Sequence, residues 1–369
     1  MRPWTRRSFV ASALAASARA AEREKGRAFP SEWRRFADPS TEFEVFRLTE
    51  PGYSSTLPSG YGRTISRRGN FLIFCSDRTG SQQVFRMDLK NGEWRQLTAA
   101  QALDPFSPTL LPDERSICFF DGNSLRQLYL SNLREREIYR VPEGWERCPG
   151  ASVSDDGQYA LFGERRNGAA RLQLVTTGRG TARTLVETPW ILSDPIANPK
   201  RAQVLYRQGE EALWLVNFDG KQNRRLKIAD GHAGPARWAA DGKTILYLNF
   251  PEDPKALNTL REYAPDQNSD KLIAKTSQFV QFGVNENSSV FAGASQNKAS
   301  PYILLLLRVT RRELTVCEHH ASDARMVAPR FSHDSQAIYF QSDRHGKPAI
   351  YRVRVEKFVE QTDDGPDAR

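Results

Sequence analysis

A turn rich in Asp, Gly, Asn or Pro, followed at once by an apolar run of strand length, recurs seven times along this chain. The turns fall at Arg68-Gly69, Asp113-Glu114, Asp156-Gly157, Pro199-Lys200, Asp241-Gly242, Glu286-Asn287 and Asp334-Ser335, separated by 45, 43, 43, 42, 45 and 48 residues. Self-similarity at a period of roughly 40–50 residues marks a β-propeller, in which each repeat is one four-stranded sheet. The runs behind the turns suit strands: Phe71-Leu72-Ile73-Phe74, Ile117-Cys118-Phe119-Phe120, Ile245-Leu246-Tyr247 and Ile338-Tyr339-Phe340. Second strands follow, as in Val84-Phe85-Arg86-Met87 and Ala349-Ile350-Tyr351-Arg352, and no sustained helical period competes. The chain therefore reads as all-β, a seven-bladed propeller over residues 43–358. A polar lead-in at 21–42 precedes it and a polar tail at 359–369 follows.

The ends of the pattern predict how the ring closes. The last repeat stops after residues 351–355 and lacks its closing strand, while Glu44-Val45-Phe46-Arg47-Leu48-Thr49 stands spare before the first blade. Pairing the two satisfies two open edges at once. Composition agrees with a packed domain: 39% of residues are hydrophobic and 26% charged, which excludes disordered, collagen-like and small disulfide-stapled chains. Beyond the N-terminus no apolar run approaches the roughly 20 residues of a spanning helix, so the chain is expected not to span a membrane. The four cysteines show no C-x-x-C spacing, and Cys75 and Cys118 sit inside apolar strands, where buried free thiols are expected.

Charge and the N-terminus bear on partners and place. A net charge of +9, from 53 Lys and Arg against 44 Asp and Glu, favours anionic partners. The charges are interspersed, without zinc-finger spacing, an RRM signature or a basic-helix block, so an anionic small ligand is preferred over nucleic acid. Thr5-Arg6-Arg7-Ser8-Phe9-Val10 reads as a twin-arginine export motif, followed by an Ala/Ser-rich stretch and by Ala18-Arg19-Ala20 as a cleavage site. Residues 1–20 are thus expected to be an export signal, and the mature protein to be periplasmic or secreted.

Particular segments carry a resemblance. Residues 340–351, with Ser342-Asp343-Arg344-His345-Gly346 ahead of Ile350-Tyr351, look like a Tol-type or WD-like propeller repeat. Ile138-Tyr139-Arg140-Val141 leading to Trp145, and Thr188-Pro189-Trp190 before Pro195-Ile196, narrow the match. So do the run from Leu213 to Gly220 and Trp238-Ala239-Ala240-Asp241-Gly242; in order and spacing these resemble the oligogalacturonate lyase family. That family is seven-bladed and cleaves short pectin fragments by β-elimination. A histidine takes the proton at C5 of a galacturonate, an arginine assists, and three histidines with a glutamine hold manganese.

Position by position, this equipment is largely replaced. Where the resemblance places the base, the chain has Pro235, and the assisting arginine falls on Ala212. The metal motif reads Met326-Val327-Ala328-Pro329, so two ligand positions hold Met326 and Ala328, while the others fall near Asp323 and Gln281. Tyr61-Gly62-Arg63 remains similar to the family's Y-x-K. No cofactor is predicted, and manganese is expected only if His319, His320 and Asp323 rebuild a site. Adjacent histidines on a strand face opposite ways, which opposes that. His232, three residues before Pro235, is a weak candidate base, the alternative being an exposed loop histidine. Arg63, Arg237 and Arg330 lie on or just before innermost strands, and with Tyr61 they are the candidate binders of an acidic sugar through bidentate guanidinium–carboxylate pairs. No G-x-S-x-G elbow, phosphate loop or dinucleotide fingerprint is present. Four readings remain at the level of sequence: a lyase with a rearranged site, a binder of galacturonate oligomers descended from one, a non-catalytic Tol-type scaffold with a protein partner, or a hydrolase of sugars using paired acids.

Overall fold

The computed structural model describes residues 24–209 and 212–355, so the expected export signal and polar tail lie outside the described residues. Seven antiparallel sheets follow one another around a ring. Their innermost strands are Ser55–Thr56, Thr109–Leu110, Glu146–Val153, Leu192–Ala197, His232–Trp238, Phe279–Val284 and Arg330–Phe331, for blades one to seven. Among the described residues no helix is long and apolar enough to cross a membrane.

Strand alternation is what welds the blades together. Successive side chains of a strand point to opposite faces, and a propeller's middle strands have a neighbouring blade on each face. Phe119 of blade two packs with Ile73 and Val84 of blade one, whereas Phe120 packs with Ala160 and Phe162 of blade three. The same division recurs at each junction, ending with Leu72 and Phe74 of blade one against Tyr339 and Ile350 of blade seven. This explains why strands such as Phe71–Ser76 and Val290–Ser295 are buried at every position. All four cysteines are free and buried within these layers.

At the junction of the two ends, Val45 pairs with Val353, Phe46 with Arg352 and Arg47 with Tyr351, making Glu44–Arg47 the fourth strand of blade seven. It is not the outermost. The segment read as a polar lead-in adds a fifth strand to each of two blades: Arg34–Ala37 beside Glu44–Arg47, and Ala28–Phe29 beside Trp94–Gln96 of blade one. Three aromatic side chains hold it. Phe29 stacks on Trp94 at 4.2 Å, the Trp33 indole reaches Met87 Sδ at 3.5 Å, and Phe36 meets the edge of Tyr351.

Asp38 anchors this strap. Its fully buried carboxylate accepts from Thr41 Oγ1 at 3.0 Å and from the backbone N–H of Glu318 in blade six at 3.1 Å, and lies 3.8 Å from Arg344. Replacing Asp38 by Ala leaves the buried Arg344 charge and the Glu318 amide short of a partner, and is expected to cost about 2–4 kcal/mol in denaturant unfolding. Glu44→Gln, which removes only the exposed ion pair with Arg35, should change stability by less than about 0.5 kcal/mol. Equal effects from the two would show that Asp38 is not an anchor.

Candidate functional site: an arginine-lined axial cavity

Bulges in the innermost strands open one mouth of the ring. Ladder register shifts between Arg147 and Ala151, Ser193 and Ile196, Ala233 and Ala236, and Phe279 and Gln281, in four consecutive blades. Three of the bulges contain Pro149, Pro195 and Pro235, which have no N–H to give to the neighbouring strand. Gly150, at φ +80°, completes the first, because a Cβ there would stand 2.8 Å from the Asp194 amide nitrogen. In blade one the inner edge is interrupted instead: Thr56 pairs with Cys75 and Ile65 with Leu72, and residues 57–64 between them loop toward the axis. A shorter excursion in blade two, between Leu103 and Thr109, brings up Phe106, a residue 56% exposed.

These elements enclose a cavity of about 1020 Å3 lined by six arginines, Arg147, Arg165, Arg207, Arg237, Arg325 and Arg330, against two aspartates, Asp104 and Asp194. The aspartates are taken. Asp104 pairs with Arg147, and Asp194 lies 3.3 Å from Arg207, which also donates to the carbonyls of Ala233 and Gly234. Arg165 meets Glu146 at 3.1 Å in the open. Among the described residues Arg237, Arg325 and Arg330 have no carboxylate at ion-pair distance.

Arg237 and Arg330 are the most deeply placed of these. Arg330 donates to Thr64 Oγ1 at 3.0 Å and to the Pro58 carbonyl, but its Nε is buried without a partner. Arg237 makes one long contact, 3.4 Å to the Gly60 carbonyl, and lies over the Phe282 ring. Burial lowers the pKa of both, and for Arg330 the Arg237 charge lowers it further. Two like charges are thus partly desolvated near each other, offset by dipoles and the Phe282 ring but by no carboxylate among the described residues. Tyr61 shares this space. Burial, and then the Asp194 charge, raise its pKa, so its phenol stays protonated and is a hydrogen-bond donor, not a base. A smaller cavity of about 310 Å3, with Asp155, Glu286 and His333 in its wall, lies beyond Gly60, Tyr61 and Arg237, which border both.

Of the residues singled out from sequence, Tyr61, Arg237 and Arg330 converge here, together with Gln281, Met326 and Ala328. Arg63 does not line the cavity. Its backbone N–H donates to Thr109 Oγ1 at 3.0 Å, and its guanidinium lies in the field of Arg67, Asp155 and Glu114. His232 occupies the exposed first position of the blade-five inner strand, opposite Phe250, and borders none of these cavities. Asp323 caps the short 3-10 turn Ala324–Met326 by accepting from Arg325 N. His319 is buried, with Nδ1 accepting from Ala321 N at 3.0 Å and Nε2–H donating to the Ser295 carbonyl at 2.9 Å, while exposed His320 pairs with Glu318. Arg147, Arg165, Arg207, Arg325, Phe106 and Phe282 were not singled out from sequence. A proline inside an inner strand with an arginine two positions away, as at Pro149 and Arg147, is a signal that points to Arg147; the other five carry none along the chain.

The residues at the family's metal positions do not suit manganese. Met326 and Ala328, a thioether and a methyl, stand where the resemblance places imidazoles, so that Gln281 offers the one hard donor of the three, and Arg330 brings a positive charge beside them. Among the described residues no group of three or more His, Cys, Asp and Glu is placed to hold a metal. What the cavity offers is fixed guanidinium charge. If Arg237 and Arg330 are there for a ligand, Arg237→Met and Arg330→Met should leave the melting temperature unchanged or higher, since each relieves a desolvated charge. Each should also weaken binding of oligogalacturonate by roughly tenfold or more. A falling melting temperature with unchanged affinity would make both arginines structural.

Comparison with known proteins sets this geometry in context. A family profile described as the TolB beta propeller domain matches residues 64–241. The oligogalacturonide lyase of Pectobacterium atrosepticum is 22% identical over 381 residues, covering 90% of this chain and 98% of its own. The oligogalacturonate lyase of Dickeya dadantii is 23% identical over 389 residues, covering 91% and 100%. A solved oligogalacturonate lyase in complex with manganese superposes with a TM-score of 0.86 at 23% identity, over 91% of this chain and 99% of the other. The chain's homologues are oligogalacturonate lyases, matched along nearly their whole length, and its fold is their seven-bladed propeller.

Proposed function

We propose that this protein binds galacturonate oligomers in the axial cavity and holds their carboxylates with Arg237 and Arg330 in place of a metal. The observation that carries this is a pair of half-buried guanidiniums lining the cavity without a carboxylate partner among the described residues. The contacts of this pair with the axial loop leave its like charges without a counter-charge, whereas an incoming carboxylate meets two planar forks in a partly desolvated space. Arg325, exposed at the rim, adds long-range attraction. Phe106 offers an aromatic face to the C–H side of a sugar ring.

The same inventory argues against manganese-dependent elimination. A base must reach the proton it takes. Here Pro235 stands at the cavity wall where the resemblance places that base, Tyr61 stays protonated, and Asp104 and Asp194 are engaged by arginines. Calorimetric titration with trigalacturonate, paired with the ultraviolet absorbance of unsaturated product, tests the proposal. Binding that weakens with salt, and no product with either manganese or chelator, is the expected result. Robust product formation abolished by chelator would overturn it. The TolB-type profile match favours a second reading, a protein-interaction scaffold; that reading predicts no saccharide binding at all.

Export belongs to the same proposal. Thr5-Arg6-Arg7 lies in a basic, acid-free start that suits the twin-arginine route. Replacing both Arg6 and Arg7 by Lys is expected to retain the uncleaved precursor in the cytoplasm. Unchanged export in cell fractionation would mean a different route or none.

A further inference from the structure

We infer that a second cavity, between the central hairpin of blade three and the segment joining it to blade four, receives the distal sugars of an acidic oligosaccharide whose first units occupy the axial cavity. This rests on the reading above and extends it to chain length. The second cavity has a volume of about 440 Å3 and is walled by Glu146, Arg165, Arg166, Gly168 and Ile191. That volume falls within the few hundred to about 1,000 Å3 typical of small-molecule sites. Arg165 borders both cavities, so the two are neighbours across one side chain.

The chemistry of the wall suits a uronate. Arg165 is tied only to Glu146, with side chains 51% and 72% exposed, and such a pair holds its partners weakly. Arg165 is therefore able to turn toward a ligand carboxylate from either cavity. Arg166 stands beside it with its guanidinium 4.6 Å from the Trp145 ring centroid, and Arg171 covers the same ring at 3.9 Å. The stack pre-orders Arg166 at little entropic cost. Asn167 and Gly168, both at positive φ, make the tight hairpin turn that forms the rim.

An apolar platform flanks these charges. Pro189 and Ile191 border the cavity, and Ile191 is 53% exposed. Apolar surface left in water beside two arginines suits an acidic sugar, with its ring C–H face on Pro189 and Ile191 and its carboxylate on a guanidinium. An apolar protein partner would leave Arg165, Arg166 and Glu146 desolvated.

The test is the dependence of affinity on oligomer length. Calorimetric titrations of the mature protein, Arg166→Ala and a control, Val309→Ala, with di-, tetra- and hexagalacturonate read it directly. Arg166 is exposed, so its removal should not disturb folding, and circular dichroism checks this. Expected are at least a fivefold gain in wild-type affinity from the dimer to the longer oligomers and loss of most of that gain in Arg166→Ala. Dimer affinity should be unchanged in Arg166→Ala, and Val309→Ala should behave as wild type. Equal wild-type affinity at all lengths, or a gain that survives Arg166→Ala, overturns the second site while leaving axial binding in place. Failure of every oligomer to bind overturns both.

Discussion

The antiparallel pairing of Val45 with Val353, flanked by Phe46 with Arg352 and Arg47 with Tyr351, turns a linear string of sheets into a ring. Each blade is buried on both faces, so an open ring would expose the apolar faces of Leu72 and Phe74 on one side and Tyr339 and Ile350 on the other. It would also leave the edge of Ala349–Arg354 unpaired, a template for aggregation. The strap at residues 28–37 reinforces the same place from outside, one strand on each of the two blades that meet there. Closure fixes where the innermost strands converge, and therefore where the bulges and the loop at 57–64 deliver their side chains.

That convergence produces a concentration of positive charge with an internal logic. Arginines that meet aspartates, as Arg147 and Arg207 do, brace neighbouring elements: Arg207 reaches from blade four to two carbonyls of blade five. Arg237 and Arg330 instead contact carbonyls and a hydroxyl of the axial loop, and burial works against their charge. In a metal-dependent site the positive charge that meets a uronate comes from a bound dication held by neutral imidazoles. Here Met326, Ala328 and Gln281 supply no such cage, and in the proposed reading guanidiniums supply the charge. Both arrangements neutralise a carboxylate. A guanidinium does so by hydrogen bonds in a fixed plane, without the water-derived or metal-derived chemistry that an ion brings.

Most of the ring was legible in sequence because its signals are local. A polar turn followed by an apolar strand is a short-range pattern, and seven of them at near-equal steps leave one architecture. The strap was not legible: strands of two and four residues, with Arg34 and Arg35 inside one of them, carry no periodic signal. Their aromatics, Phe29 and Trp33, matter only once Trp94 and Met87 are known to lie opposite. Tyr61, Arg237 and Arg330 were legible as residues near innermost strands. Arg63, two positions from Tyr61 on the same loop, does not line the cavity, because no alternation rule fixes the direction of a loop side chain. Arg207 lies on a second strand and reaches the cavity across its neighbour, which no spacing along the chain reveals.

The central claim is that guanidiniums, not a metal, meet the uronate carboxylate at the axis. A crystal structure of the mature protein with trigalacturonate, grown with manganese present, tests it most directly. The account predicts a carboxylate within hydrogen-bond distance of both Arg237 and Arg330 and no anomalous signal beside Gln281 or Met326. A manganese ion bridging the sugar to that side of the cavity, with Arg237 and Arg330 turned away, would contradict it.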